Sequence, residues 1–218
     1  MGDTVYTITI ILIWVFALCF HEWAHAKVAF MGGDESVVDK GYLSFNPLKY
    51  MEPFNSIIFP IIILLIGGVP LPGGAVWIET HRIRSREWLS LMSLAGPLAN
   101  LVLAFAIGAA FRFGLVPEIG PVGPILAISI YFQLFAVFLN LLPLPGLDGF
   151  GALAPWLPRD VQDIANRVAR FMPFVILLIA FQTRLFSKTF LNFAVPILEG
   201  FEVPLPLISI GFGYLPVF

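Results

Sequence analysis

The sequence predicts an all-α polytopic membrane protein, with about 4–6 membrane segments and a re-entrant or short β element between the first and second core helices. Three observations carry that expectation. Of 218 residues, 59% are hydrophobic and only 12% are charged, whereas about 25% are charged in an average soluble domain. A mean hydropathy of +0.92 leaves too few polar side chains to cover a water-facing surface. Several apolar runs also approach or exceed the about 20 residues that a helix needs to cross a bilayer.

The first run, residues 4–31, is long enough to span. Asp3 is the only charge before Glu22, so it has no basic leader region, and no small-x-small cleavage site precedes the polar stretch. It therefore reads as a retained span and not as a signal peptide. Residues 54–72 are shorter, interrupted by Pro60 and closed by a Gly- and Pro-rich run through Gly74. Such a composition favours a hairpin or re-entrant piece as much as a straight helix. Residues 88–113 form a second full span, and residues 125–143 form a third when continued to Trp156. Residues 171–187 are marginal. Residues 190–218 carry Glu199, Glu202 and four prolines, which marks a broken or interfacial tail. Polar connectors fall at 32–53, 79–87 and 158–170. Residues 1–157 thus read as the membrane core and 158–218 as further membrane segments of the same domain, without room for a separate soluble module.

The formal net charge of −2 and the lack of a basic tract give no sign of a nucleic-acid partner. Cys19 is the only cysteine, which excludes an internal disulfide framework and a cysteine-rich zinc site. It reads as a small apolar helix residue.

Chemistry concentrates in His21-Glu22-Trp23-Ala24-His25. Residues four apart lie on one face of a helix, about 6 Å from each other, so two imidazoles there can grip one metal ion. Glu22 sits beside the ion but off the ligand axis, placed to take a proton from an activated water. Such spacing is the H-E-x-x-H pattern of zinc proteases. Two structural histidines on an apolar helix would be the bland alternative. Two of the chain's three histidines and a carboxylate within one span favour function, because ionisable groups at membrane depth are costly. A catalytic zinc site wants a third protein ligand. His81 lies among arginines, where a solvated or headgroup role suits it better. Asp148 is the stronger candidate, being the only carboxylate between Glu118 and Asp160. Pro143, Pro145, Gly146 and Gly149 break the helix around it; its competing role is to cap the helix that follows.

The cluster His21–His25, the segment Ala95-Gly96-Pro97-Leu98-Ala99-Asn100 and the segment Asn140-Leu-Leu-Pro-Leu-Pro-Gly-Leu-Asp-Gly149 resemble, in order, the three signatures of the site-2 protease family of intramembrane zinc metalloproteases. Residues 43–50 also look like its short bacterial-type members. The resemblance implies that His21, His25 and Asp148 bind Zn2+, that Glu22 is the catalytic base, and that Asn140 lies near the substrate or the tetrahedral intermediate. It implies as partners the lipid bilayer and a membrane-protein substrate with a transmembrane helix, while the oligomeric state stays open. The chain departs from the family pattern where Phe150 stands before Gly151, and residues 73–79 follow the usual pattern only loosely. Gly96, Pro97 and Asn100 read as scaffold that lets helices pack and hydrogen-bond.

If Asp148 shares a metal with His21 and His25, their two spans must run in the same direction with an odd number of crossings between them. Residues 88–113 supply one crossing, so residues 54–72 should double back. Charge agrees. Lys40, Lys49, Arg82, Arg84, Arg86, Arg159, Arg167 and Arg170 then share the cytoplasmic side, against Arg112 outside. Arg184 and Lys188 fit this less well. The expected protein is a multi-pass enzyme of the cell (inner) membrane, with its site toward the cytoplasm. A metal carrier would have no use for Glu22; a catalytically inactive family member acting as a scaffold is the remaining rival.

Overall fold

The computed structural model describes residues 2–50, 75–172, 175 and 184–215. Helix α1 (Gly2–Gly32) is 31 residues long, which at 1.5 Å per residue exceeds the about 30 Å of a bilayer's hydrocarbon core. Two single-turn helices follow, α2 (Ser36–Asp39) and α3 (Pro47–Tyr50). The chain resumes at Ala75 and passes a 3-10 turn at Thr80–Arg82 into α4 (Arg86–Arg112). Ser85 caps α4 by accepting from the Trp88 amide, and Gly114 ends it with φ +66°. Then come α5 (Val122–Asn140), α6 (Asp148–Leu153), a 3-10 turn at Ala154–Trp156, α7 (Arg159–Ala169), α8 (Arg184–Gly200) and α9 (Leu205–Phe212).

Three helices, Thr4–Gly32, Arg86–Arg112 and Val122–Asn140, are long and apolar enough to cross a membrane. A fourth crossing is possible if α8 and α9, bent by 117° at their junction, count as one broken span. The chain is thus an all-α multi-pass membrane protein, and the tail is broken where its prolines suggested. The third span stops at Asn140 and does not continue to Trp156, because Pro143 and Pro145 follow within five residues. Residues 159–169, expected as a polar connector, form an amphipathic helix. Only Ala165 is buried there, as suits a helix lying along a surface.

Contacts along the helices fix their directions. His25 meets Met92 while His21 abuts Gly96, so α1 and α4 are antiparallel. Ile10 clusters with Ile125 and Ile128 while Trp14 meets Phe132 edge-on, so α1 and α5 run in parallel. That is the shared direction that a joint site of His21 and Asp148 demands. The expected doubling back of residues 54–72 lies outside the described residues. On either side of that stretch, the Ala75 amide donates to the Tyr50 carbonyl at 2.9 Å. Among the described residues no strand forms. Of the short β element expected between the first two core helices, residues 73–78, only 75–78 are among the described residues, and they form no strand.

In lipid, helices associate through van der Waals fit and small residues, not through hydrophobic burial. Ala104 on α4, Ala127 on α5 and Ala194 on α8 accordingly occupy one cluster with Ile130, Leu134, Phe190 and Leu198. Tyr131, Phe135 and Phe138 meet Phe190 at ring-centroid distances of 5.1–5.5 Å. Gly211 lets α9 lie on the start of α5, where a β-carbon would stand 2.6 Å from the Pro124 carbonyl oxygen and 2.8 Å from the Ile128 Cβ. Gly211→Ala should therefore lower stability by about 1–3 kcal/mol through overpacking. Thermal unfolding in detergent checks this, and an unchanged midpoint would show that the contact is not a constraint.

Candidate metal centre

Helical spacing brings His21 and His25 to one face of α1, and both side chains are buried. Their rings meet edge to face with centroids 4.7 Å apart and their Nε2 atoms 3.1 Å apart. Asp148 arrives from the far end of α5. The chain leaves that helix at Asn140 and turns through Gly146, whose φ of +91° suits glycine. It re-enters a helix at Asp148. Gly149 seats this turn, since a β-carbon there would lie 2.5 Å from the Leu141 carbonyl carbon and nearer still to its oxygen. Asp148 then sets Oδ2 3.3 Å from His21 Nε2 and Oδ1 3.4 Å from His25 Nε2. Its carboxylate points at the imidazoles and caps no helix.

These three residues are the one group among the described residues whose donor atoms could hold a metal ion, all lying within 4.8 Å of one another. The spacing fits zinc. Tetrahedral coordination with bonds of about 2.0–2.1 Å puts neighbouring donors about 3.3 Å apart; here the imidazole nitrogens are 3.1 Å apart and each lies 3.3 or 3.4 Å from a different oxygen of Asp148. Two imidazoles and one carboxylate are the kind of three-ligand set found in catalytic zinc sites, where water takes the fourth position. His25 Nδ1 donates to the Met92 carbonyl at 2.6 Å, which leaves Nε2 as the lone-pair nitrogen facing the other donors.

Helix α4 forms the back wall. A β-carbon on Gly96 would lie 2.5 Å from His21 Nε2 and closer still to His25 Nε2, so no other residue fits without moving the donors. Gly96 read as scaffold in the sequence; the structure puts it in direct contact with both imidazoles. The same wall holds α6. Ser93 Oγ would be 2.8 Å from a β-carbon on Gly151, and Ser90 donates to the Ala152 carbonyl. Gly151, one place later than the family pattern, is thus a close-approach position of its own.

Glu22 is buried within electrostatic reach of His21, His25 and Asp148, and the Val76 amide hydrogen-bonds its carboxylate. Asn140 is the last residue of α5, half-buried at the start of the turn to Asp148, and its side chain forms no hydrogen bond with the three donors. His81 stands exposed, 4.0 Å from Glu79 Oε2, and is no ligand. Buried polar atoms without a hydrogen-bond partner among the described residues are His21 Nδ1, Asn100 Oδ1 and Gln133 Oε1. Asn100, expected to bond a neighbouring helix, leaves that oxygen unpaired one turn beyond Gly96.

Known proteins share this sequence along most of its length. The candidate zinc metalloprotease Rip2 of Mycolicibacterium smegmatis is 38% identical over 204 residues, spanning 94% of this chain and 78% of that protein. Rip2 of Mycobacterium tuberculosis is 39% identical over 168 residues, spanning 77% of this chain and 64% of that protein. YwhC of Bacillus subtilis, also named as a candidate zinc metalloprotease, is 31% identical over 191 residues, spanning 79% of this chain and 80% of that protein. No protein-family model matches the chain, and no solved structure matches it.

Gly96→Ala should displace the imidazoles and lower zinc content about tenfold or more. Asp148→Asn, which removes an anionic donor, should act in the same direction. Metal analysis of the purified variants, with gel filtration to confirm folding, decides the matter; full zinc occupancy in folded Gly96→Ala would refute the wall contact.

Proposed function

The chain belongs to the site-2 protease family of zinc metalloproteases, and on that premise we propose that it hydrolyses a peptide bond in or near the transmembrane segment of a membrane-protein substrate. One observation carries the proposal. Two buried histidines and a half-buried aspartate at zinc-like spacing stand beside a buried glutamate, among helices long and apolar enough to cross a bilayer. A purely structural cluster would not need the buried glutamate beside it.

Zinc bound there supplies a Lewis acid for the scissile carbonyl and acidifies water toward a pKa of about 7. Glu22 takes the proton of the attacking water and returns it to the departing amine nitrogen, so that water adds across the C–N bond. Asn140, at the mouth of the turn to Asp148, offers an amide to the substrate. A substrate helix hides its amides in hydrogen bonds and must unwind to react. Residues 75–79 suit an unwound strand. Backbone groups of 75, 77 and 79 bond to Tyr50, Lys40 and Asp34. In an extended chain the groups of 76 and 78 then face the opposite edge, where Val76 meets Glu22.

Charge supports a site toward the cytoplasm in the cell membrane. Gly32, at the end of α1, accepts from the Arg84 amide, so Arg82, Arg84 and Arg86 gather where α1 ends and α4 begins. An excess of arginine and lysine marks the cytoplasmic side.

Glu22→Gln should keep its zinc and lose cleavage of a single-span substrate by about 10²–10⁴-fold. Undiminished cleavage by this variant in liposomes would exclude the mechanism.

A further inference from the structure

Residues 75–79 approach Glu22 and form no helix or strand among the described residues, where other groups hold them. The holding groups come from the chain just beyond α1. Lys40 spends its three ammonium donors on Ser36 Oγ at 3.0 Å, the Trp77 carbonyl at 2.9 Å and Glu79 Oε1 at 3.1 Å. Asp34 is 0% exposed. Its Oδ1 accepts from the Ser36 amide at 3.1 Å and the Ser36 hydroxyl at 2.6 Å, and its Oδ2 accepts from the Glu79 amide at 2.7 Å. Arg82 Nε donates to Glu79 Oε2 at 2.6 Å and completes the clasp.

Among the described residues the clasp is one-sided. Trp77 and Glu79 are gripped through backbone groups of odd-numbered residues, while the even-numbered Val76 turns its amide to the Glu22 carboxylate. We propose that Lys40, with Asp34 and Glu79, is a positioning element for the reaction: it fixes residues 75–79 and, through the Val76 amide, the orientation of Glu22. This rests on Glu22 being the catalytic base. The ammonium of Lys40, followed by the guanidinium of Arg82, pushes the Glu79 carboxyl down to about 2. The ionic contribution is therefore complete above the ordinary carboxyl range and fades only as pH falls toward 2. A clasp that merely stabilised the fold would need no register with Glu22.

The test uses the full zinc-loaded chain in proteoliposomes with a single-span substrate. Lys40→Met, which keeps the aliphatic stem, should retain zinc, speed hydrogen exchange in residues 75–79, and lower kcat about tenfold. Lys40→Arg, which keeps charge and donors, should restore most of kcat. Faster exchange with unchanged kcat would overturn the proposal, because the segment would then be held without positioning anything. Unchanged exchange would overturn it as well. If Lys40→Met does not fold, Glu79→Gln takes its place, with a smaller fall in kcat expected and an unchanged kcat again decisive against. Failure of the underlying protease reading looks different: cleavage would then survive Glu22→Gln whatever Lys40 does.

Discussion

At Gly96 the backbone of α4 touches the imidazoles of His21 and His25, and the rest of the site is arranged around that contact. A single methyl group would fall inside the space the donor nitrogens occupy. Because small residues set how closely membrane helices approach, this position fixes the separation of α1 and α4. Met92 lies one turn earlier on the same face, which is why its carbonyl reaches His25 Nδ1. Ser93, beside it, receives α6 at Gly151. The orientation and spacing of the two imidazoles and the approach of Asp148 thus follow from one stripe of one helix.

Burying His21, Glu22 and His25, with Asp148 half-buried against them, would be strongly unfavourable if each stood alone in apolar surroundings. They are not alone. Asp148 bridges both imidazoles, His25 is anchored by a carbonyl, and Glu22 takes a backbone amide. The cost of one buried charge is offset by the next, so the group is tolerable only as a set. That interdependence explains why Asp148 sits on a turn that two prolines and two glycines define, when a continuous helix would have been simpler. A helix prolonged beyond Asn140 would carry Asp148 past the histidines, whereas the break returns it to their depth.

Much of this was legible in the sequence, for physical reasons. Histidines four apart with an adjacent glutamate in an apolar run carry their geometry with them, since helix periodicity is fixed. Asp148 was legible because a lone carboxylate among helix breakers has few other uses. Gly96 showed only that something comes close, not that it is a pair of imidazoles, because the partner of a small residue lies on another helix. The end of the third span was misplaced by length: apolarity continues past Asn140 although the backbone cannot stay helical through Pro143 and Pro145. Residues 159–169 were hidden by their charge, which reads as a connector until the period of the helix puts its few apolar residues on one side.

The least legible part was the clasp, and the reason bears on how such a site can work. Asp34 and Lys40 sit in a polar stretch that looks solvated, yet Asp34 is wholly buried and every donor of Lys40 is used. A regular strand partner would have left an alternating pattern in the sequence, and it would have held residues 75–79 by repeating ladder bonds. Among the described residues, the Lys40 and Asp34 side chains and the Tyr50 carbonyl hold them, at chosen points along one edge. Rigidity therefore reaches the residues beside Glu22 with no covering strand among the described residues. For the proposed reaction, in which an unwound substrate meets the Glu22 carboxylate, a segment gripped at points along one edge joins a fixed position to a strand-like form.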